Sequence, residues 1–158
     1  MVQRGKAVKT RVRKFKINDL DQVVAMAERY ASWDLTATEV DIEGFHSASP
    51  EFFVVAEAEN KILGFVYGRE SNPPVETLNK WKSRKVASIE TLAVDEDYRR
   101  QGIATSLLSA LLEAFKQKKI DLVTLSVPAV EIAAMKLYGK LGFEPRAQFL
   151  WKRLDSSY

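Results

Sequence analysis

The sequence predicts a mixed α/β domain with helices on the faces of one sheet. Segments with the two-residue periodicity of strands alternate with segments that have the 3.6-residue periodicity of helices, in the order β-α-α-β-β-β-α-β-α-β. The 158 residues, 46% of them hydrophobic, are enough to bury one core. We therefore expect a single domain over 1–158 with a folded core at about 8–154.

The first half of the chain is predicted to contain a strand, two helices and a hairpin. Val8, Thr10 and Val12 alternate with charged residues, which is typical of a half-buried strand. Asn18 is a favourable N-cap because acidic residues follow it in the first turn of the helix. Asn60 marks the turn of the hairpin. The predicted ranges are 8–15 for the strand, 18–30 and 38–45 for the helices, and 51–58 and 61–68 for the hairpin.

The second half begins with a polar segment that contains Pro73 and Pro74, and then alternates strands with helices. The apolar run VASIETLAV at 86–94 is long enough to be a central strand. Gly142 lies where the last helix would end, at the C′ position that favours glycine. The predicted ranges are 69–85 for the polar segment, 86–94, 121–127 and 146–154 for the strands, and 103–118 and 131–141 for the helices.

The composition excludes several classes of protein. Cysteine is absent, which excludes a disulfide framework, a thiol nucleophile and a cysteine-ligated metal. His46 is the only histidine, so we expect no metal site and no catalytic histidine. No apolar run approaches the roughly 18 residues of a membrane span, and the N-terminus lacks the apolar stretch of a signal peptide. We expect a cytoplasmic protein that binds neither membrane nor nucleic acid; a homodimer is left open.

Charge is distributed unevenly along the chain. Residues 1–17 carry seven basic residues and no acid, whereas residues 18–60 carry ten acids and only Arg29 as a base. The local net charges are +7 and −9, although the whole chain is only +3. An acidic stretch of this kind is either a solvated face or a surface that attracts a cationic substrate, and the sequence leaves both interpretations open.

A polar turn with two arginines precedes the most strongly amphipathic helix. The helix presents Ile103 and further apolar residues at four-residue intervals to a sheet. Its first N–H groups have no intrahelical partner, and the helix dipole adds positive potential. Gly102 and Ala104 are small enough for a ligand to approach the backbone, and Arg99 and Arg100 add positive charge. The turn is therefore either a phosphate or pyrophosphate site or an ordinary exposed turn.

The phosphate-binding motifs G-x-x-x-x-G-K-S/T and G-x-G-x-x-G are both absent. Instead, the sequence Arg-Arg-Gln-Gly-Ile-Ala at 99–104 resembles the R/Q-x-x-G-x-G/A signature of the Gcn5-related N-acetyltransferase superfamily. The preceding ETLAVDEDYRRQG, the later AAMKLYGKLGFEP and the order of elements resemble that family too. The resemblance implies a mixed, mostly antiparallel sheet with splayed strands, flanked by helices.

The resemblance also implies acetyl-coenzyme A as co-substrate. Its pyrophosphate would bind the backbone N–H groups from Arg100 to Thr105. Its pantetheine arm would pair with the edge of the strand at 86–94, where the N–H of Leu92 would stabilise the oxyanion. The coenzyme-binding residues implied in this way are Leu92, Ala93, Val94, Arg99, Arg100, Gln101, Gly102, Ile103, Ala104, Thr105, Glu131 and Tyr138.

By the same resemblance, Tyr138 protonates the leaving thiolate; the alternative is a tyrosine of the core. Glu90 is the only acid in its apolar strand, so we expect burial to raise its pKa and suit it to act as the base, directly or through water. A structurally paired glutamate is the alternative. Two positions depart from the family pattern: Ser126 stands where some relatives have a glutamate base, and Glu131 where many have an asparagine.

The acceptor is the least defined part of the prediction. In the family, the helices within 18–45 form a wall of the acceptor site, and here they lie in the acidic stretch. A polyamine, an aminoglycoside-like amine or a basic peptide is therefore expected in preference to a neutral amine. Trp33 lies in a segment that flanks the acceptor side in relatives. A coenzyme-binding regulatory or interaction module without turnover is the alternative function.

Overall fold

The computed structural model describes residues 8–31 and 33–155. In the part of the chain up to residue 126, a sheet of five strands forms the centre of the fold. The strand order is β1-β2-β3-β4-β5, and neighbours are antiparallel except for β4 and β5, which are parallel. The sheet is therefore mixed and mostly antiparallel, as predicted. The strands are β1 (Arg11–Lys14), β2 (Phe53–Ala58), β3 (Lys61–Ser71), β4 (Val86–Val94) and β5 (Leu122–Leu125).

Helices form at the four predicted places and at one more. The additional helix, α3, lies in the segment that was predicted to be polar and irregular, directly after Pro74, which is its N-cap. Proline is compatible with a helix start because its missing N–H is not needed there. The helices are α1 (Leu20–Tyr30), α2 (Glu39–Ala48), α3 (Val75–Trp81), α4 (Ile103–Gln117) and α5 (Ile132–Lys140).

Helices cover both faces of the sheet. On one face, Val23 of α1 and Ile42 of α2 are buried in a cluster with aromatic residues of the sheet, including Phe53 and Phe65. On the other face, α4 buries the apolar side that the sequence predicted, as Leu107, Leu111 and Phe115 are all 1% exposed or less. The strands therefore lie between two helical layers.

A β-bulge interrupts the pairing of β3 with β4. Tyr67 pairs with Thr91, but the next residue, Gly68, pairs with Ile89, so that Glu90 is the extra residue. The side chains of paired residues lie on the same face of the sheet. The extra residue therefore shifts by one position the alternation of β4 side chains between the two faces. Ile89 and Leu92 consequently lie on the same face although they are three residues apart.

The parallel pairing of β4 with β5 is short. It joins Val86–Ile89 to Leu122–Leu125 and goes no further. β4 continues to Val94, so its second half has β3 on one side and no β5 partner on the other. This arrangement confirms the splayed strands that the family resemblance implied.

Residues 127–155 form a unit of their own, which contains α5. α5 ends as predicted: Gly142 has a φ of +91°, and the N–H of Phe143 donates to the carbonyl of Tyr138 at 3.0 Å. The strand predicted at 146–154 is wrong, because these residues have no regular secondary structure. A strand needs a neighbouring strand to pair its backbone groups, and none is paired with this segment within the described residues.

Candidate active site

The start of α4 has the backbone geometry of an anion site. Gly102, the N-cap of α4, has a φ of +79°, and Arg100 has a φ of +62°. The first hydrogen bond of the helix runs from the N–H of Ser106 to the carbonyl of Gly102 at 2.9 Å, so the N–H groups before Ser106 have no intrahelical acceptor. A Cβ atom on Gly102 would meet nothing within 4 Å. The turn therefore has open space beside it, as a coenzyme pyrophosphate requires.

Arg99 is held in place by contacts with the end of β4 and with Tyr30. Its Nε donates to the carbonyl of Val94 at 3.1 Å, and its guanidinium lies 5.1 Å from the centre of the Tyr30 ring. Arg29 lies on the same ring at 5.3 Å and also pairs with Glu96 at 2.5 Å. These contacts connect the end of β4, the end of α1 and the turn before α4.

The open edge of β4 presents the backbone groups of Leu92. The N–H of Asp95 donates to the carbonyl of Leu63 at 2.8 Å, so the backbone of Asp95 faces β3. Successive residues of a strand direct these groups to opposite neighbours. Leu92 and Val94 therefore face the side that β5 leaves open, whereas Ala93 faces β3. This placement supports the prediction that the N–H of Leu92 binds the thioester oxygen.

Glu90 lies at the bulge and accepts two hydrogen bonds on the same oxygen. Arg69 Nε donates to Oε1 at 2.8 Å, and Ser88 Oγ donates to Oε1 at 2.6 Å. Burial of the carboxyl raises its pKa, but the hydrogen bonds from Ser88 and Arg69 and the charge of Arg69 together lower the pKa below its ordinary value. The expected raised pKa of Glu90 is therefore wrong. The sequence could not reveal these two partners, because the bulge sets the register that brings them to Glu90.

A groove of about 280 Å³ opens where β4 and β5 separate. It brings together Glu90 and Ser126, which the sequence analysis singled out, with two hydroxyl residues that it missed, Ser88 and Thr124. Among the described residues, Glu90 is the one charged side chain that lines it, so the groove offers a carboxylate and three hydroxyl groups to a polar or cationic ligand. The lining residues are Ser88, Ile89, Glu90, Thr124, Leu125 and Ser126.

Tyr138 lies on α5 in the separate unit 127–155. Its ring packs edge-on against Phe143, with 5.8 Å between the ring centres. Burial raises the pKa of the phenol, and the nearby carboxylate of Glu131 raises that pKa further. The phenol therefore stays protonated at neutral pH, which is the state that a proton donor needs. Glu131 itself is the N-cap residue of α5 and makes no side-chain capping bond.

Part of the predicted acidic stretch is neutralised within the fold. Arg13 on β1 binds Asp19 at 2.7 Å and Glu57 at 2.8 Å, and Arg11 binds Glu57 at 2.6 Å. Hydrogen bonds from Arg13 and Arg11 lower the pKa of Glu57 to about 2. These acids therefore hold β1 to β2 and to the start of α1, and they do not contribute to an acceptor surface. Residues 1–7 of the basic segment lie outside the described residues.

Other acids remain exposed between α1 and α2. Asp34 and Glu39 are exposed and form no ion pair within the described residues. Asp41 caps α2 by accepting from the backbone N–H and hydroxyl of Thr38, both at 2.8 Å. Trp33 is 63% exposed beside them. An exposed aromatic ring and exposed carboxylates in the same segment are features that favour an organic cation.

No group of three or more histidine, aspartate or glutamate side chains that could hold a metal occurs in 8–31 and 33–155. His46 packs edge-on against Phe15, with 5.1 Å between the ring centres, so its surroundings are those of a core residue. Among the same residues, no helix has both the length and the apolar character that crossing a bilayer requires.

Comparisons with known proteins agree with this geometry. The model of the acetyltransferase (GNAT) family matches residues 20–143. The chain is similar to the N-alpha-acetyltransferase of Sulfurisphaera tokodaii, with 30% identity over 145 residues that cover 85% of this chain and 80% of the relative. It is 27% identical over 135 residues to the mycothiol acetyltransferase of Saccharomonospora viridis, covering 80% of this chain and 42% of the relative. It thus spans about half the length, or less, of several curated relatives.

Solved structures share the fold. Ard1 from Thermoplasma volcanium superposes with a TM-score of 0.74 at 27% identity, covering 89% of this chain and 86% of Ard1. AAC(6′)-Iy in complex with the bisubstrate analog CoA-S-monomethyl-acetylneamine has a TM-score of 0.74 at 20% identity, covering 92% and 99% of the two chains, and shows likeness of fold alone. Because the family model spans well over half of the chain, this protein belongs to the acetyltransferase (GNAT) family.

Proposed function

We propose that the chain is an acetyl-coenzyme A-dependent N-acetyltransferase that acts on the primary amine of a cationic acceptor. The observation that carries the proposal is the open edge of β4, which runs from Glu90 in the groove to the glycine turn that begins α4. A thioester laid along this edge would have its pyrophosphate at the turn and its acetyl group near the groove. The relative named N-alpha-acetyltransferase supports this class of reaction.

Two parts of the chain would hold the coenzyme, which supplies the acetyl group as a thioester. N–H groups between Arg100 and Thr105 bind the pyrophosphate at the positive end of α4. The backbone of Leu92 and the N–H of Val94 pair with the pantetheine arm as a neighbouring strand would. The N–H of Leu92 then donates to the carbonyl oxygen as it becomes an oxyanion, a contact that strengthens in the transition state.

Glu90 and Tyr138 divide the proton transfers. Glu90 is ionised at neutral pH, and with a lowered pKa it cannot deprotonate a free ammonium whose pKa is about 10.4. It is suited to take the proton after attack, directly or through a water, when the amine nitrogen carries positive charge and is far more acidic. The acceptor enters as the neutral amine, having lost its first proton to solvent. After attack Glu90 takes the second proton and the Tyr138 phenol gives its own to the leaving thiolate; exchange with solvent then returns both side chains to their starting states, so the proton count balances.

The acceptor class follows from charge. Asp34, which follows the exposed Trp33, and Glu39, the first residue of α2, form no ion pair with any described residue, and the groove adds the carboxylate of Glu90. Negative walls raise the local concentration of cations. A polyamine, an aminoglycoside-like amine and the lysine or N-terminus of a basic peptide share the positive charge that this surface favours.

Thiol release tests the proposal. The chain is mixed with acetyl-coenzyme A and a panel that contains spermidine, an aminoglycoside, a basic peptide and neutral primary amines of matched size. We expect thiol release that depends on the amine and is fastest with a cationic one. Tight binding of acetyl-coenzyme A without release for any amine would instead identify a non-catalytic coenzyme-binding module.

A further inference from the structure

The carboxylate of Glu90 is fixed on one side only. Arg69 Nε and Ser88 Oγ both donate to Oε1, at 2.8 and 2.6 Å. Oε2 accepts no hydrogen bond from any residue that the structure describes. The side chain is 33% exposed and lines the groove where β4 leaves β5. One oxygen is therefore held by the protein, and the other is available to a ligand in the groove.

Both partners of Oε1 stand on rigid strands. Ser88 precedes Glu90 by two residues on β4 and pairs with Arg69 on β3. The bulge leaves Glu90 as the extra residue of β4, without a paired residue on β3. Its carboxylate nevertheless meets the side chains of Arg69 and Ser88. Groups on strands hold a geometry more accurately than groups on loops. Ser88 is paired on both sides, with β3 and with β5, and Arg69 is paired with β4.

Few other charges act on this carboxylate. From β3, Tyr67 faces it as well as Arg69, and Glu51 lies near Tyr67. On the opposite side of the groove, Thr124 and Leu125 of β5 and Ser126, which follows β5, carry no charge. Arg69 is thus the cation beside Glu90, and its side chain is 61% exposed.

We propose that Arg69 and Ser88 are positioning residues that hold Oε1 of Glu90, so that Oε2 accepts the proton of the acceptor amine. This inference rests on the proposed acetyl transfer and adds to it the residues that orient the base. Arg69 acts through Glu90 and touches neither the coenzyme nor the reacting atoms. Its positive charge also keeps Glu90 ionised at low pH, so that the base stays active there.

The variant Arg69→Met tests the inference. It keeps much of the length of the side chain but removes the hydrogen bond and the charge. We expect the acidic limb of the kcat/KM profile to move to higher pH by about one unit, because an adjacent cation lowers a carboxyl pKa by about that much or more. We expect kcat at neutral pH to fall by about tenfold or more through loss of orientation. Affinity for acetyl-coenzyme A should stay the same, and Arg69→Lys should recover part of the activity.

Two controls distinguish a positioning role of Arg69 from a purely structural role. In the first control, Arg11→Met, the arginine that is removed donates from Nε and Nη2 to Oε1 of Glu57. This variant should leave the pH profile of kcat/KM unchanged. In a Glu90→Gln background, Arg69→Met should have no further effect on kcat, since residues that act as a unit are not additive. A carboxyl NMR titration reports the pKa of Glu90 in each variant without turnover.

The outcomes are distinct. An upward shift of both the acidic limb and the titration of Glu90 in Arg69→Met, absent in Arg11→Met, supports the positioning role. An active chain in which Arg69→Met leaves the acidic limb in place, or in which Arg69→Met and Glu90→Gln are additive, overturns the positioning role and leaves the proposed acetyl transfer intact. A wild-type chain that releases no thiol with any amine overturns the proposed function, and the positioning role with it.

Discussion

Gly102 begins α4 in a backbone conformation that few residues other than glycine adopt. Its φ of +79° lies in the left-handed region, where a Cβ atom meets the neighbouring carbonyl. A Cβ at this position would nevertheless have open space around it. Glycine is therefore favoured here by the backbone conformation and by the close approach of a ligand to the turn. Packing within the chain does not require it.

We expect Gly102→Val to weaken acetyl-coenzyme A binding by at least about tenfold, because loss of one hydrogen bond to a charged group costs about 1.5–3 kcal/mol. The left-handed backbone adds about 1–2 kcal/mol of destabilisation. Calorimetry measures the affinity and thermal unfolding the stability. Gly142→Val is the matched control, since its φ is +91° and a Cβ there also meets nothing within 4 Å. Equal affinity in folded Gly102→Val and wild-type protein would contradict the pyrophosphate site.

Tyr138 is the second residue with a direct chemical consequence. Tyr138→Phe keeps the ring that packs on Phe143 and removes only the phenol proton. We expect kcat to fall by roughly 10²-fold or more, with little change in the dissociation constant of the coenzyme. Steady-state kinetics and calorimetry measure the two quantities. Tyr98→Phe, in a buried tyrosine of the 3₁₀ turn Glu96–Tyr98, is the control. An unchanged kcat in Tyr138→Phe would make Tyr138 a core residue.

At the scale of elements, close packing of α4 on β3 supports the site. A Cβ on Gly68 would lie 2.5 Å from Phe115 Cζ and 2.9 Å from the carbonyl oxygen of Ser88. A Cβ on Gly64 would lie 2.9 Å from the carbonyl oxygen of Ala93. The glycines let α4 approach the sheet beside the bulge, and this contact fixes where the helix begins relative to the open edge of β4.

Gly68→Ala and Gly44→Ala should therefore have opposite effects on stability. Gly68→Ala overpacks the contact with Phe115, and we expect it to lower the free energy of unfolding by about 1–3 kcal/mol. Gly44 lies within α2, and a Cβ there meets nothing within 4 Å. Gly44→Ala should raise the free energy of unfolding by about 0.5–1 kcal/mol, because alanine favours the helix. Denaturant unfolding of both variants measures the two changes; a neutral Gly68→Ala would show that α4 can move away from β3.

At the scale of the whole molecule, the uneven charges of the sequence partly cancel in space. Arg11 and Arg13 of the basic segment bind Glu57 and Asp19 of the acidic one across the β1–β2 pair and the start of α1. What remains for a substrate is the set of exposed acids, among which Asp34 follows the exposed Trp33 in the chain and Glu39 begins α2. Their effect should depend on salt, because exposed charges are screened over about 8 Å at physiological ionic strength.

Reversal of Asp34 and Glu39 to lysine should raise the KM for a cationic acceptor several-fold, up to about tenfold, and leave acetyl-coenzyme A affinity nearly unchanged. In the wild-type chain, kcat/KM for spermidine should fall as salt rises. Glu76 and Glu113, exposed acids on α3 and α4, are the control pair for the same reversal. A neutral amine as the best substrate, or a kcat/KM for spermidine that is flat from low to high salt, would make the acidic stretch a solvated surface.

Local patterns were enough to predict most of the elements. The apolar repeat of α4, Gly142 at the end of α5 and the apolar run of β4 all depend on residues that are neighbours in the chain. The motif around Gly102 likewise lies within one turn of the chain. The resemblance to the family was therefore enough to predict its geometry. The strand at 146–154 failed because a strand depends on a partner that its own sequence does not specify.

The surroundings of Glu90 depended on contacts that the sequence does not encode locally. Its residue type and its strand could be read from the chain, but the direction of its pKa shift depends on Arg69, 21 residues away. The bulge decides that contact by shifting the alternation of β4 by one residue, and pairing between strands decides where the bulge lies. By itself the sequence determined most of the elements, the family signature and the residue types able to do the chemistry. Only the tertiary structure decided which charges neutralise each other and which oxygen of Glu90 is available, because both depend on distances between residues far apart in the chain.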